Sequence, residues 1–140
     1  MYLLDTNIFL EILLSQDKKD ICKKFIVSHG KECCLSDFTL YSIGIALFRK
    51  KLFQDYQIFF SEISSLMSIL SLPLSEHEKL AMEGKKLKLD FDDLYQYHVA
   101  KYHRLTIVTM DKDFETVTDN KVLFLWGISI LFVNIPERKF

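Results

Sequence analysis

Glycine and proline are scarce in this chain, at four and two residues of 140. Because these residues mark most turns and loops, their scarcity predicts regular secondary structure joined by short connections. No Gly-x-Gly-x-x-Gly, P-loop or Gly-x-Ser-x-Gly motif occurs, which argues against dinucleotide binding, P-loop nucleotide hydrolysis and serine-hydrolase chemistry. A formal net charge of −1 supplies no global basic field. Binding to nucleic acid would therefore depend on a local basic patch or on metal ions.

Long hydrophobic runs and cysteine motifs are also missing. The longest apolar run, residues 122–133, contains Gly127 and Ser129 and is shorter than the roughly 20 residues that a membrane-spanning helix needs. The first residues lack the basic region of a signal peptide, and the three cysteines form no Cys-x-x-Cys pair. We therefore expect no membrane partner, a cytoplasmic location and buried, reduced thiols.

Short apolar segments alternate along the chain with segments of helical periodicity. The strands are predicted at residues 2–4, 32–36, 68–72 and 106–110, and in the tail at 122–125 and 128–133. The helices are predicted at residues 8–14, 18–29, 37–51, 55–66, 76–87 and 91–103. Thr6 or Asn7 would cap the first helix, and Ser75 would open a capping box with Glu78. The alternation predicts an α/β fold, a three-layer α/β/α sandwich with a central parallel sheet of four to five short strands. The length fits a single domain over residues 1–140.

Three carboxylates fall at comparable places in this scheme. Asp5 follows the first strand, Asp111 follows the strand at 106–110, and Asp93 lies in the first turn of the helix just before that strand. Because all strands of a parallel sheet end at one edge, the three acids are expected to meet there. Each of them taken alone is also explained as a helix-capping residue. Together they would repel one another unless a cation lies between them, and Mg²⁺ prefers such oxygen ligands.

The ordered set of motifs resembles the PIN-domain family. The matching segments are Leu3-Leu4-Asp5-Thr6-Asn7, then Asp93-Leu94 with Ala100, then Ile107-Val108-Thr109-Met110-Asp111-Lys112-Asp113-Phe114. The resemblance spans about residues 1–115, whereas the tail from 119 to 140 matches poorly. It implies a parallel sheet sandwiched by helices, with a Mg²⁺- or Mn²⁺-dependent ribonuclease site at the sheet edge. Many members of the family resemble toxins of toxin–antitoxin pairs, and dimers are common among them.

Carried over by position, the resemblance makes Asp5, Asp93 and Asp111 the catalytic metal ligands and Asp113 an auxiliary acid. Asn7 and Thr109 belong to the same matching segments and are auxiliary candidates. The family usually has a glutamate in the helix after the second strand, where this chain has Ser42. Ser42 would hold a metal-bound water without supplying charge. Asp37 and Asp90 are the acids considered as replacements, although neither is at the matching position.

Two functional hypotheses follow from this resemblance. In the first, the protein is a metal-dependent endoribonuclease and a toxin whose partners are RNA, an antitoxin protein and a second copy of the chain. Substrate contacts would come from basic residues near the edge, with Arg49, Lys50, Lys51 and Lys112 as candidates. In the second, the loss of the glutamate leaves a catalytically impaired module that binds RNA or a protein. A haloacid-dehalogenase-type phosphatase and a receiver domain are disfavoured because Asn7 replaces the second acid of Asp-x-Asp and the third strand ends without an aspartate.

Overall fold

The computed structural model of the protein describes residues 1–127. Within them five strands and six α-helices alternate, which confirms the predicted fold class. The strands are β1 (Tyr2–Leu4), β2 (Cys33–Ser36), β3 (Ser68–Leu70), β4 (Thr106–Thr109) and β5 (Val122–Phe124). The helices are α1 (Thr6–Leu13), α2 (Lys19–His29), α3 (Asp37–Arg49), α4 (Phe53–Leu66), α5 (Glu78–Leu87) and α6 (Phe91–His103). The strand predicted at 128–133 lies outside the described residues.

The sheet is parallel throughout and has the strand order β3-β2-β1-β4-β5. The chain therefore builds outward from β1 in both directions, first through β2 and β3 and later through β4 and β5. The crevice beyond the carboxyl end of β1, between these two halves, is where open α/β sheets bind ligands. Leu4 of β1 pairs with Val108 of β4, so the residues that follow these two strands emerge side by side.

Successive residues of the central strands point into two different cores, as the period of a strand requires. Leu4, Leu35 and Val108 pack with the helices on one face, among them α1, α2, α3 and α4. Leu3, Cys34 and Ile107 are alternate positions of the same strands, and they pack with α5 and α6 on the other face. Burial on both faces explains why these strands are almost entirely apolar.

Two predicted helix caps are wrong. The first helix is capped by Asp5 rather than by Thr6 or Asn7, because the Asp5 carboxylate accepts a hydrogen bond from Thr6 N. The capping box at Ser75 does not form. Ser75 lies in a 3₁₀ turn, Leu74–Glu76, and α5 starts at Glu78 without a side-chain cap. Helix α3 is capped by Ser36, whose Oγ accepts from Thr39 N at 3.0 Å.

All three cysteines, Cys22, Cys33 and Cys34, are buried and free. Burial raises the pKa of the Cys22 and Cys33 thiols to about 12 and that of Cys34 to about 11, so each behaves as a small apolar side chain. No helix among residues 1–127 combines the length and the apolar character that crossing a membrane requires.

Candidate metal centre

Asp5 lies where β1 ends and α1 begins, and both of its carboxylate oxygens accept hydrogen bonds. Its Oδ1 accepts from Thr6 N at 2.8 Å, and its Oδ2 accepts from Thr109 Oγ1 at 2.7 Å. Its backbone N–H donates to the Val108 carbonyl of β4 at 2.9 Å, which extends the parallel ladder by one residue. Asp5 is therefore a helix cap and also a fixed carboxylate, 4% exposed, at the edge of the sheet.

The turn after β4 holds two more carboxylates. Thr109 Oγ1, which donates to Asp5, accepts from Asp111 N at 2.9 Å. Asp111 Oδ1 in turn accepts from Asp113 N at 2.9 Å and caps the short 3₁₀ turn Lys112–Thr116. One threonine hydroxyl thus links the end of β1 to the end of β4, and this places Thr109 in a positioning role for the acids around it.

The start of α6 brings Asp93 to the same edge. Asp93 is in the first turn of the helix and only 8% exposed, whereas Asp90, the N-cap residue, is exposed and makes no capping bond with its side chain. The N–H groups of a first helical turn favour a negative charge. That electrostatic preference, together with the parallel topology, explains why a buried aspartate is tolerated at this position.

Asp93, Asp111 and Asp113 each offer a carboxylate oxygen, and these three oxygens lie within 4.8 Å of one another. Asp5 is not in this close group but lines the same cavity, which has a volume of about 220 Å³. The residues that line the cavity are Asp5, Thr6, Asn7, Leu10, Phe38, Ser42, Asp92, Asp93, Gln96 and Asp111. None of Asp5, Asp93, Asp111 and Asp113 forms a salt bridge with another residue of the described range 1–127.

Burial and the proximity of other acids raise the pKa values of Asp93 and Asp5. Burial, followed by repulsion from Asp92, Asp5, Asp111 and Asp113, raises the pKa of Asp93 to about 7. Burial also raises the pKa of Asp5 to about 6, although the hydrogen bonds from Thr109 and Thr6 oppose the rise. Both carboxyl groups thus resist ionisation in the absence of a positive charge, which is the behaviour expected of groups that hold a cation.

The donor set suits a hard divalent cation. It consists of oxygen atoms alone, with no thiol or imidazole among the residues that line the cavity, and Mg²⁺ and related ions take such ligands and retain several waters. One further observation points the same way. Gln96 lines the cavity, is 2% exposed, and its Oε1 has no hydrogen-bond partner. A buried acceptor that lacks a donor is costly unless a cation or a water meets it.

Ser42 lies in the cavity, half-buried on α3. The position at which the sequence lacks a carboxylate therefore faces the acids in the folded protein. Asp37 does not replace that carboxylate, because its Oδ1 accepts from Phe38 N and from the Tyr95 hydroxyl, both at 2.8 Å. Asp90 is exposed and is not among the lining residues either. Asn7 lines the cavity from α1 while remaining exposed.

The basic residues predicted near the edge divide into two groups. Arg49 ends α3 and Lys50 and Lys51 follow it, whereas Asp37 at the acidic edge begins that helix. At 1.5 Å per residue the ends of this helix are about 18 Å apart, and none of these three cations is among the residues that line the cavity. Lys112 does lie in the acidic turn, between Asp111 and Asp113, with its Nζ 5.7 Å from the centre of the Trp126 ring.

Sequence reasoning missed Gln96 and Asp92 as lining residues. Gln96 follows Asp93 by three positions, and residues at that spacing share a helix face, so the helical period was a signal that pointed to it. Asp92 is exposed, yet it borders the cavity. The contact between Thr39 Oγ1 and Thr6 Oγ1, at 3.0 Å, was also missed. The two residues are 33 positions apart, and no local sequence pattern predicts their contact.

A parallel α/β/α sandwich with clustered carboxylates at the strand ends is an architecture suited to metal-assisted chemistry on phosphates. A family model for the PIN domain matches residues 2–120. The chain therefore belongs to the PIN-domain family, as the sequence motifs predicted.

Solved structures similar to this chain include components of toxin–antitoxin complexes. A toxin–antitoxin complex from Klebsiella pneumoniae matches with a TM-score of 0.73 and 22% identity, covering 91% of this chain and 100% of that chain. FitAcB from Neisseria gonorrhoeae matches with a TM-score of 0.69 and 24% identity, covering 91% and 100%. VapBC2 from Rickettsia felis, bound to a DNA fragment from its promoter, matches with a TM-score of 0.66 and 16% identity. The match covers 88% of this chain and 97% of that chain. These likenesses establish the fold. No curated protein matches the chain significantly.

Proposed function

We propose that this protein is a Mg²⁺- or Mn²⁺-dependent endoribonuclease that acts as the toxin of a toxin–antitoxin pair. The observation that carries the proposal is the group of carboxylate oxygens from Asp93, Asp111 and Asp113, which lie within 4.8 Å of one another. They are bordered by the buried Asp5 and have no cationic partner among residues 1–127. A group of carboxylates without a cationic partner lowers the stability of the folded protein, and a bound cation would compensate its charge.

Asp93, Asp111 and Asp5 would hold the cation, and Asp113 would accept hydrogen bonds from its waters. When bound, a divalent cation orients a water, lowers its pKa and neutralises charge that develops on a phosphodiester. Thr109 keeps Asp5 and Asp111 in fixed relative positions through its two hydrogen bonds. Lys112, exposed in the same turn, is placed to contact the phosphate backbone of an RNA substrate.

The antitoxin part of the proposal is supported by the similar structures. The FitAcB and Klebsiella pneumoniae proteins cover nearly the same length of chain as this protein, and the latter is described as a toxin–antitoxin complex. An antitoxin would be a small protein encoded next to this chain. Co-expression of the neighbouring reading frame should yield a complex that co-purifies with this protein and suppresses its cleavage of RNA.

Cleavage of a mixed RNA panel in Mg²⁺, Mn²⁺ or EDTA tests the enzymatic part. The wild-type protein should cleave in either cation and not in EDTA, and Asp93→Asn should be inactive in all three. Asp17→Asn, an exposed aspartate before α2, is the matched control and should cleave as the wild type does. Absence of cleavage combined with no rise in melting temperature on addition of Mn²⁺ would refute the proposal.

Ser42 favours a second candidate function. The structure places this uncharged side chain in the cavity where a carboxylate is expected, so the protein is alternatively a PIN-like module that binds RNA or a protein without cleaving. This candidate predicts RNA retention in a filter-binding assay in EDTA and no cleavage product with Mn²⁺. It also predicts that Ser42→Glu creates cleavage activity that the wild type lacks.

A further inference from the structure

Gln96 lies in the metal cavity on the same face of α6 as Asp93. The two residues are three positions apart, so their side chains are neighbours on the helix surface. Gln96 is 2% exposed and lines the cavity together with Asp5, Asp93 and Ser42. It is therefore a buried polar side chain beside a group of acids.

One end of the Gln96 carboxamide is anchored. Its Nε2 donates to Thr39 Oγ1 on α3. Thr39 Oγ1 also lies 3.3 Å from Ser36 Oγ, which donates to it, and 3.0 Å from Thr6 Oγ1 of α1. A hydroxyl that accepts from Gln96 and Ser36 and donates to Thr6 has used its one proton and both lone pairs. The hydrogen-bonding network therefore fixes the carboxamide through α1, α3 and α6 at once.

The other end is unpartnered. Gln96 Oε1 is buried, and no donor among residues 1–127 reaches it. Most buried acceptors in folded proteins have a donor, so an orphan oxygen fixed in a cavity indicates a missing ligand atom. Since the cavity is lined by carboxylates, that ligand is expected to carry positive charge or protons directed at oxygen.

A neutral oxygen is also what this cavity can accommodate. Ser42 leaves the position of the family's fourth acid uncharged, and Asp5, Asp92, Asp93 and Asp111 already repel one another. A carboxamide oxygen adds a hard ligand atom without adding charge, and such oxygens are accepted by hard divalent cations or by their waters.

We propose that Gln96 Oε1 is the neutral oxygen that completes the cation site of this chain, in place of the carboxylate missing at position 42. The inference rests on the proposed function, because it needs a cation held by Asp93 and its neighbours. It assigns to the Thr6, Ser36 and Thr39 hydroxyls the role of orienting Gln96. It also explains why a polar side chain is buried three residues after a metal-binding aspartate.

The test is Mn²⁺ affinity of the full chain, measured by the loss of the free-ion signal in electron paramagnetic resonance. Gln96→Met, which keeps the length but removes the oxygen, should weaken Mn²⁺ binding by about 10- to 100-fold, the range typical of groups that support a metal site. Gln96→Glu restores an oxygen and should bind at least as tightly as the wild type. Gln57→Met, at an exposed position of α4, is the control and should bind unchanged.

Thr39→Val is a second variant that leaves the Gln96 oxygen in place but removes its anchor, and it should weaken Mn²⁺ binding by less than Gln96→Met does. If Gln96→Met and Thr39→Val lower the metal-free melting temperature but bind Mn²⁺ as the wild type does, Gln96 is purely structural and the inference is wrong. It is equally wrong if the wild type binds no Mn²⁺. A wild type that binds Mn²⁺ through Gln96 yet cleaves no RNA would instead refute the proposed function and leave the cation site standing.

Discussion

Helix α6 carries two polar clusters, one largely buried and one partly exposed, and their charges are balanced in opposite ways. The cluster at its start, with Asp93 and Gln96, faces other acids and contains no cation from the described residues. In the cluster further along, around Tyr97, His98 and Lys101, the acids lie beside donors or basic groups. Tyr97 OH donates to Asp119 at 2.7 Å, Lys101 Nζ lies 3.2 Å from Asp119 Oδ2, and His98 Nε2 lies 3.1 Å from Glu83 Oε2.

For this reason the pKa values of Asp119 and Asp93 are shifted in opposite directions. The Tyr97 hydrogen bond, aided by Lys101, lowers the pKa of Asp119, whereas burial and neighbouring carboxylates raise that of Asp93 to about 7. The paired cluster compensates the charge of Asp119 within the protein, although the buried His98 Nε2 has no hydrogen-bond partner among residues 1–127. The unpaired cluster costs stability unless a ligand compensates its charge. Burial of polar groups thus marks a functional site here only where charge compensation is missing.

The largest expected effect is a difference in RNA cleavage between a variant of the unpaired cluster and a variant of the paired cluster. Asp93→Asn should lower RNA cleavage in Mn²⁺ by at least about 100-fold, because groups that merely support a metal ligand already account for 10- to 100-fold. Asp119→Asn should leave cleavage within about twofold of the wild type, since Asp119 does not line the cavity. Initial rates on one RNA substrate measure both, and equal losses in the two variants would refute the distinction.

The second effect concerns the stability of the metal-free protein as a function of pH. The folded-state pKa of Asp93 is raised above its usual 3.8 to about 7. The stability associated with its protonated form is therefore present below about pH 4 and lost as pH rises through about 7. Asp93→Asn does not ionise, so it should be more stable than the wild type at pH 8, by on the order of 2 kcal/mol.

Urea denaturation in EDTA at pH 8 and pH 4.5 measures this difference. The advantage of Asp93→Asn over the wild type should shrink at the lower pH, and Asp17→Asn should show little change between the two. A wild type more stable than Asp93→Asn at pH 8 without metal would contradict the raised pKa.

The third effect tests the paired cluster. Tyr97→Phe removes the hydroxyl that donates to Asp119 and accepts from Lys101 at 3.2 Å. Hydrogen bonds to charged groups contribute about 1.5–3 kcal/mol, and the partial exposure of Asp119 favours the lower end. We expect a loss of about 1.5 kcal/mol in the free energy of unfolding and an unchanged Mn²⁺ affinity. A change in Mn²⁺ affinity would show that the two clusters are coupled through α6.

The smallest effect is expected from a variant that adds an acid to the unpaired cluster. Ser42→Glu adds a carboxylate to the cavity, so it should tighten Mn²⁺ binding by about tenfold and lower the metal-free melting temperature through like-charge repulsion. Ser61→Glu on the exposed surface of α4 is the control and should do neither. A melting temperature that rises in EDTA would indicate that position 42 does not face the acids in solution.

The order of elements and the meeting of Asp5, Asp93 and Asp111 at one edge were predictable, because each depends on a short-range pattern. An apolar strand ending in aspartate and an acidic first turn before a β-branched strand fix where each acid lies along the chain. Parallel topology then brings the ends of the strands together. The position of Ser42 beside the acids was implied by the resemblance to the PIN-domain family.

Other features needed the packed molecule. The chain order does not reveal that Thr109 links Asp5 to Asp111, or that Thr6 contacts Thr39 from another helix. Arg49, Lys50 and Lys51 were predicted near the edge, whereas they lie at the opposite end of α3 from Asp37. The failed capping box at Ser75 has a local reason, since backbone hydrogen bonds of a 3₁₀ turn already occupy that segment.

The sequence by itself determined the PIN-type α/β fold and the carboxylates at the ends of β1 and β4 and the start of α6. Periodicity and strand ends depend on neighbouring residues and can therefore be predicted from the sequence. Only the tertiary structure decided which of the two polar clusters on α6 is compensated and which is not. Charge balance depends on side chains from distant elements, such as Asp119 beside Tyr97 and Thr39 beside Gln96, and no local pattern specifies those contacts.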